Sequence, residues 1–224
     1  MKGLSERRAQ GSSLVRDDTE WFRRLADVPG IDYRGRPEID RSELPGHDAT
    51  PEVHAFELDG VVHRSLSWRG LDRGTLSTSA APARQWRGRS TDRKLPEMVQ
   101  RLYESLELPG QLSDYHFNLL GTYDILWNHR SEEPWIPAAV EELCLLDIAL
   151  VEARMDTVRA DPEHAKGDYY VIPGFHHLAR LYEQEGYLKD ALLVARRAAK
   201  FGQLAAEVDR LAARLENLEA ADAD

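Results

Sequence analysis

"LARLYEQEGYLKDALLVARRAAKFG", Leu178 to Gly202, decides how this chain folds. Each side of Gly186 reads as a helix of about three turns, with apolar residues three and four apart. Glycine at 186 and again at 202 punctuates the helical segments. Small residues recur where the two helices would touch: Ala179 in the first, and Ala191, Ala195 and Ala198 in the second. Antiparallel helices approach closely only where side chains are small. The stretch is therefore a helical hairpin, with Phe175, Leu178 and Tyr182 as the bulk around its contact.

Outward from it, the C-terminal half is helical throughout. Leu204, Val208, Leu211, Leu215 and Leu218 step by four and three, a single apolar seam on a helix spanning roughly 203–220. Two heptads suit a capping helix better than a coiled coil, with a homodimer through this helix as the alternative. Pro173 opens the helix that contains Leu178. Upstream, "LPEMVQRLYESLEL" begins a helix at Leu95, and Pro109-Gly110 stops it. Ser113 is the expected cap of the next helix, which runs to about His129. Pro134 and Pro137 restart the chain into a long helix, expected to reach about Ala160 before Asp161-Pro162.

Residues 1–94 differ in character. The first dozen read as disordered. A short helix is expected from Asp17, with Glu20 in a capping box and Trp21, Phe22 and Leu25 as its stripe, stopped by Pro29-Gly30. "VHAFELDGVVHRSLSW" carries a hairpin signal: Asp59-Gly60 suits a tight turn and pairs Leu58 with Val61 and Phe56 with His63. A lone hairpin is marginal in water, so its apolar face is expected to lie on the helices. Residues 69–94 look irregular. The expectation is a mainly α fold: a disordered 1–12, an extension over 13–94 with one helix and one hairpin, and a helical domain over 95–224.

Seven positions carry a family resemblance. Phe175, Leu178-Ala179, Tyr182, Gly186, Ala191, Ala195 and Ala198 fall at the spacings of the tetratricopeptide repeat, which this stretch resembles. Gln203 stands where that pattern has proline. "FNLLGTYDIL" at Phe117 repeats the front of the pattern, with Asp124 in place of tyrosine, and the helix after it is longer than a standard repeat. The resemblance implies an antiparallel helical array whose stacked first helices line a groove for a peptide or partner protein.

Composition narrows the function classes. The chain has 224 residues, a net charge of −10 and a single cysteine, Cys144, so neither a disulfide framework nor a cysteine-rich zinc site is available. No apolar run approaches the ~20 residues that span a bilayer, and "MKGLSERRAQGSSLVRDD" lacks a signal-peptide core. A cytoplasmic protein is expected. Arginine (24) far outnumbers lysine (5), as in GC-rich bacterial genomes. Residues 1–95 hold 17 basic against 15 acidic residues and 96–224 hold 12 against 24, so the helical half repels phosphates. Ser67 to Lys94 is basic and includes Trp68, Arg69, Arg84, Trp86, Arg87 and Arg89. It is read as an arm folding back on the acidic half, with nucleic-acid stacking as the alternative.

One polar cluster stands out. Asp147 lies inside "EELCLLDIALVEARM" with Leu143, Cys144, Leu150 and Val151 as helical neighbours. A carboxylate there needs a partner. Folding the two helices about residue 133 brings Asp147 level with Leu119, near His116 and Tyr123, and Arg154 projects from the same arc. His116, Tyr123, Asp147 and Arg154 are thus the candidate ligand-binding or acid–base set, against a buried network that sets helix register. His176-His177 point about 100° apart on a helix and do not make a metal pair; His176, on the polar face with Arg180 and Glu183, reads as a solvated histidine. His47, His54 and His63 do not fall at a metal spacing. No phosphate loop, serine elbow or metalloprotease pattern appears. No cofactor, metal or catalytic residue is assigned, and the leading expectation is a non-catalytic protein- or peptide-binding scaffold. An enzyme or small-molecule sensor built on the polar cluster is the alternative.

Overall fold

The computed structural model describes residues 20–58, 60–69, 79–84, 94–155 and 169–221. It is mainly helical, with one antiparallel hairpin. Strands β1 (Pro51–Leu58) and β2 (Val61–Trp68) precede a short helix α1 (Ala80–Arg84). Then come α2 (Leu95–Leu106), α3 (Leu112–Asn128), α4 (Ile136–Ala153), α5 (Pro173–Gln184), α6 (Leu188–Ala199) and α7 (Ala205–Ala221). From α2 onward each helix packs on the next, and α3 also reaches α5. Among the described residues, no helix is long and apolar enough to cross a membrane.

Both hinge glycines close their helices the same way. Gly186 has φ +86° and Gly202 φ +68°. Tyr187 N–H donates to Tyr182 C=O at 2.8 Å and Gly186 N–H to Glu183 C=O at 3.2 Å. Gln203 N–H donates to Ala198 C=O at 3.1 Å and Gly202 N–H to Ala199 C=O at 3.0 Å. These paired bonds satisfy carbonyls that a helix end leaves orphaned, and they need a left-handed residue at each glycine.

The small residues of the opening stretch are buried, but into two cores. Phe175, Leu178, Ala179 and Ala198 join the main core, which runs through α2–α5. Ala191 and Ala195 are fully buried in a smaller cluster with Leu188, Leu192 and Leu211 of α7, flanked by Tyr182. Ala195 therefore packs beneath α7 as well as beside α5. The α7 seam is buried at Leu211 and half-buried at Leu204, Val208 and Leu215, while Leu218 is exposed. It caps α6.

Several expectations are corrected. No α-helix forms across the described part of 17–28. The stretch around Phe22 instead bridges Gly110: Phe22 N–H donates to Gly110 C=O at 2.9 Å, and Gly110 N–H to Phe22 C=O at 3.0 Å. Gly110 lies between α2 and α3, outside both helices, so its backbone groups need partners, and the bridge to Phe22 outweighs local helix propensity. Only one 3₁₀ turn survives, at Leu25–Asp27. Helix α3 starts at Leu112; its N-cap is Gln111, not Ser113, and Gln111 N–H donates to Asp114 Oδ2 at 2.7 Å. Helix α4 ends at Ala153 rather than near Ala160, because Arg154 has left helical geometry at φ −136°, ψ 72°.

The hairpin has the expected register, with Leu58 opposite Val61 and Phe56 opposite His63. Its apolar face does not lie on the helices. Among its described side chains only the root is buried, at Leu66, Ser67 and Trp68, whereas Val53, Phe56, Leu58 and Val62 are all more than half exposed. Phe56 instead stacks on His63, ring centroids 5.3 Å apart. Leu25, Val28, Leu44, Trp68 and Ala80 of the N-terminal region lie in the main core with residues of α2–α5. Of the basic stretch 67–94, residues 70–78 and 85–93 lie outside the described residues; Arg69 pairs with Glu52 of β1 at 2.9 Å.

Candidate functional site

Helix periodicity sets the polar cluster. His116 and Tyr123 are seven residues apart, two turns of α3, and so share a face. On α4 the neighbours of Asp147 at three and four residues (Leu143, Cys144, Leu150 and Val151) are all fully buried, which drives Asp147 inward with them. His116 Nδ1 lies 2.6 Å from Asp147 Oδ1, and Tyr123 Oη–H donates to Asp147 Oδ2 at 2.9 Å. A carboxylate can only accept, so Nδ1 is the protonated ring nitrogen. The first turn of α5 adds a third element: Gly174 N–H donates to the Tyr123 hydroxyl oxygen at 3.2 Å. A Cβ on Gly174 would stand 3.4 Å from that oxygen, an ordinary van der Waals contact.

Both oxygens of Asp147 are thus satisfied, as a carboxylate at 0% exposure requires. Burial and the Asp147 charge push the Tyr123 phenol far above its ordinary pKa, so it stays a neutral donor. The same two causes push up the Cys144 thiol, one turn away, and hold it as the unreactive thiol. His116 is 2% exposed and Tyr123 0%. The network ties α3, α4 and α5 together at one height and is closed to a substrate.

Arg154 does not belong to it. Beyond the end of α4 its guanidinium turns to the N-terminal segment and pairs with Glu20. The arc that would have placed it over Asp147 ends with the helix.

Sequence reasoning missed a second histidine–carboxylate pair. His177 is not solvated: it is 7% exposed and stacks on Trp127, with centroids 4.5 Å apart and planes 21° apart. Its Nε2 donates to Asp124 Oδ1 at 3.1 Å, and its buried Nδ1 has no partner among the described residues. Burial lowers its pKa despite Asp124. A second proton would sit on Nδ1 with no acceptor. The signal was Asp124 itself, at the repeat position where tyrosine was expected. Phe117, the counterpart of buried Phe175 in that degenerate match, is 54% exposed, and the neighbouring His116 takes the inward place.

His176 points outward, as expected, into an open groove between α5 and α7. This cleft of about 300 Å³ is lined by His176, Ala179, Arg180 and Glu183 on one side and Leu204, Glu207, Arg210 and Leu211 on the other. Its floor is the buried pair Ala179 and Leu211. Glu183 holds Arg210 at 2.6 Å and Arg214 at 2.6 Å, and the hydrogen bond from Arg210, with the charge of both guanidiniums, lowers its pKa. His54 meets Ser67 Oγ, His63 meets Phe56, and His47 Nδ1 meets Leu44 C=O at 3.0 Å. Among the described residues no group of three metal-ligating side chains converges.

In comparison with known proteins, no family model, no curated protein and no solved structure matches the chain.

Proposed function

We propose that this protein is a non-catalytic binding module whose α5–α6–α7 portion works like a tetratricopeptide unit. It seats an extended segment of a partner protein in the groove between α5 and α7. The observation that carries this reading is the groove itself: about 300 Å³, open, floored by Ala179 and Leu211, and rimmed by charged side chains of both helices. A small apolar floor lets a backbone lie close, and a polar rim orients it. Arg180 forms no ion pair among the described residues, so the rim has a charge available to a partner. The enclosure of His116, Tyr123 and Asp147 supports the same reading, because chemistry on a substrate needs access that this carboxylate lacks.

The test is selection of short peptides on the immobilised chain, with the His176→Ala/Arg180→Glu variant as counter-target. Peptides retained by the parent and lost by the variant support the groove. Peptides held equally by both, or none retained, overturn it.

A further inference from the structure

A second cleft, of about 400 Å³, lies where the N-terminal segment crosses α2 and the start of α4. Its walls are Tyr103, Val99 and Pro96 of α2 and Trp135 at the head of α4, with Arg36 and Glu38 reaching in from the N-terminal segment. This cleft already displays how it holds a cation. The Arg36 guanidinium carbon lies 4.1 Å from the Tyr103 ring centroid. Its Nη2 donates to Tyr103 Oη at 2.7 Å and to Glu142 Oε1 at 2.7 Å. An aromatic face and a carboxylate together offset the positive charge.

The same two ingredients recur beside it without a cation between them. Trp135 is half-buried and Glu38 exposed, and both line the cleft. Neither makes an ion pair or cation–π contact among the described residues. Arg36 and Glu142 cancel, which leaves the Glu38 charge uncompensated. Tryptophan is the strongest of the aromatic cation acceptors, and Pro96 and Val99 supply an apolar wall for a stem.

We infer that this cleft is a binding site for an organic cation on an apolar stem, an alkylammonium or guanidinium group, held between Trp135 and Glu38. The inference is independent of the α5/α7 groove. The chemistry is shared by a lysine or arginine side chain of a partner and by a free amine.

The experiment is ¹⁵N NMR of the full chain, following the Trp135 indole N–H, identified by its loss in Trp135→Phe. The probes are Nα-acetyl-lysine methylamide, Nα-acetyl-arginine methylamide, 1,4-diaminobutane and the uncharged Nα,Nε-diacetyl-lysine methylamide. At least one cation is expected to shift that signal and to bind about tenfold more tightly than the uncharged probe. Glu38→Gln should weaken the cation about fivefold at unchanged Tm, since Glu38 supports no packing. Tighter binding of the capped residues assigns the site to a partner's side chain, and tighter binding of the diamine to a free amine; both support the cation site. Equal binding of the uncharged probe, no effect of Glu38→Gln, or no Trp135 shift at concentrations on the order of 10 mM overturns it.

Discussion

His116 Nδ1 and Asp147 Oδ1 stand 2.6 Å apart at 2% and 0% side-chain exposure, thirty-one residues apart in sequence. With Tyr123 on the other oxygen, the pair joins three helices. Asp147→Asn keeps the volume but puts an amide N–H₂ where one of two donors must be met. It should cost about 2–4 kcal/mol in urea unfolding. Tyr123→Phe leaves Asp147 Oδ2 and Gly174 N–H unpaired and should cost about 1–3 kcal/mol. Arg154→Ala removes a half-exposed bridge to Glu20 and should cost under about 1 kcal/mol. Equal losses for Arg154→Ala and Asp147→Asn would contradict the separation of Arg154 from the network.

Ala195 is fully buried between α6 and the Leu211 side of α7. Ala195→Leu has no room there and should destabilise by roughly 1–3 kcal/mol. Because both α5 and α7 border that cluster, protection of α7 amides from hydrogen exchange should fall too. An unchanged melting midpoint would mean that the helices do not meet at this residue.

His177 makes stability depend on pH, with Asp124, His176 and Arg130 as the charged or titratable groups acting on it. Its folded pKa lies below the ordinary histidine value of about 6.5, so between the two the unfolded chain binds more protons. Stability from this residue is therefore present above about pH 6.5 and lost as pH falls through that value toward its folded pKa. Chemical denaturation at a series of pH values should show the fall in the parent, and a reduced slope in His177→Gln. The same slope in both would remove His177 as the cause.

Gly186 and Gly110 need glycine for different reasons. At Gly186 a Cβ would meet nothing within 4 Å, but φ is +86°. Gly186→Ala should cost about 1 kcal/mol from the left-handed backbone alone, and Gly186→Asn less. At Gly110 a Cβ would stand 2.9 Å from the Cβ of Ala81. Gly110→Ala should therefore be relieved in part by Ala81→Gly, a rescue that no second substitution should provide at Gly186. Thermal melts of the single and double variants decide this.

The helices from α2 onward, and His116 and Tyr123 as the partners of Asp147, were legible from the sequence because both follow from short-range periodicity; helix α1, the end of α4 and the place of Arg154 were not. Two turns of α3 bring His116 and Tyr123 to one face, and the short connection through Pro134 lays α4 back along α3. The hairpin register was legible for the same reason, since Gly60 at the turn sets every pair up to Pro51–Trp68.

Tertiary structure alone decided the remainder. Phe22 is extended because Gly110, far along the chain, offers its N–H and C=O. His177 is buried because Trp127 of α3 presents a ring to stack on, and Asp124 an acceptor. Phe56 and Val62 stay in solvent because, among its described side chains, the hairpin meets the core only at Leu66 and Trp68. Periodicity reports which face of an element is apolar, but the partner that covers it is selected by the free energy of the assembled core. That quantity depends on residues distant in sequence, and no local window contains them.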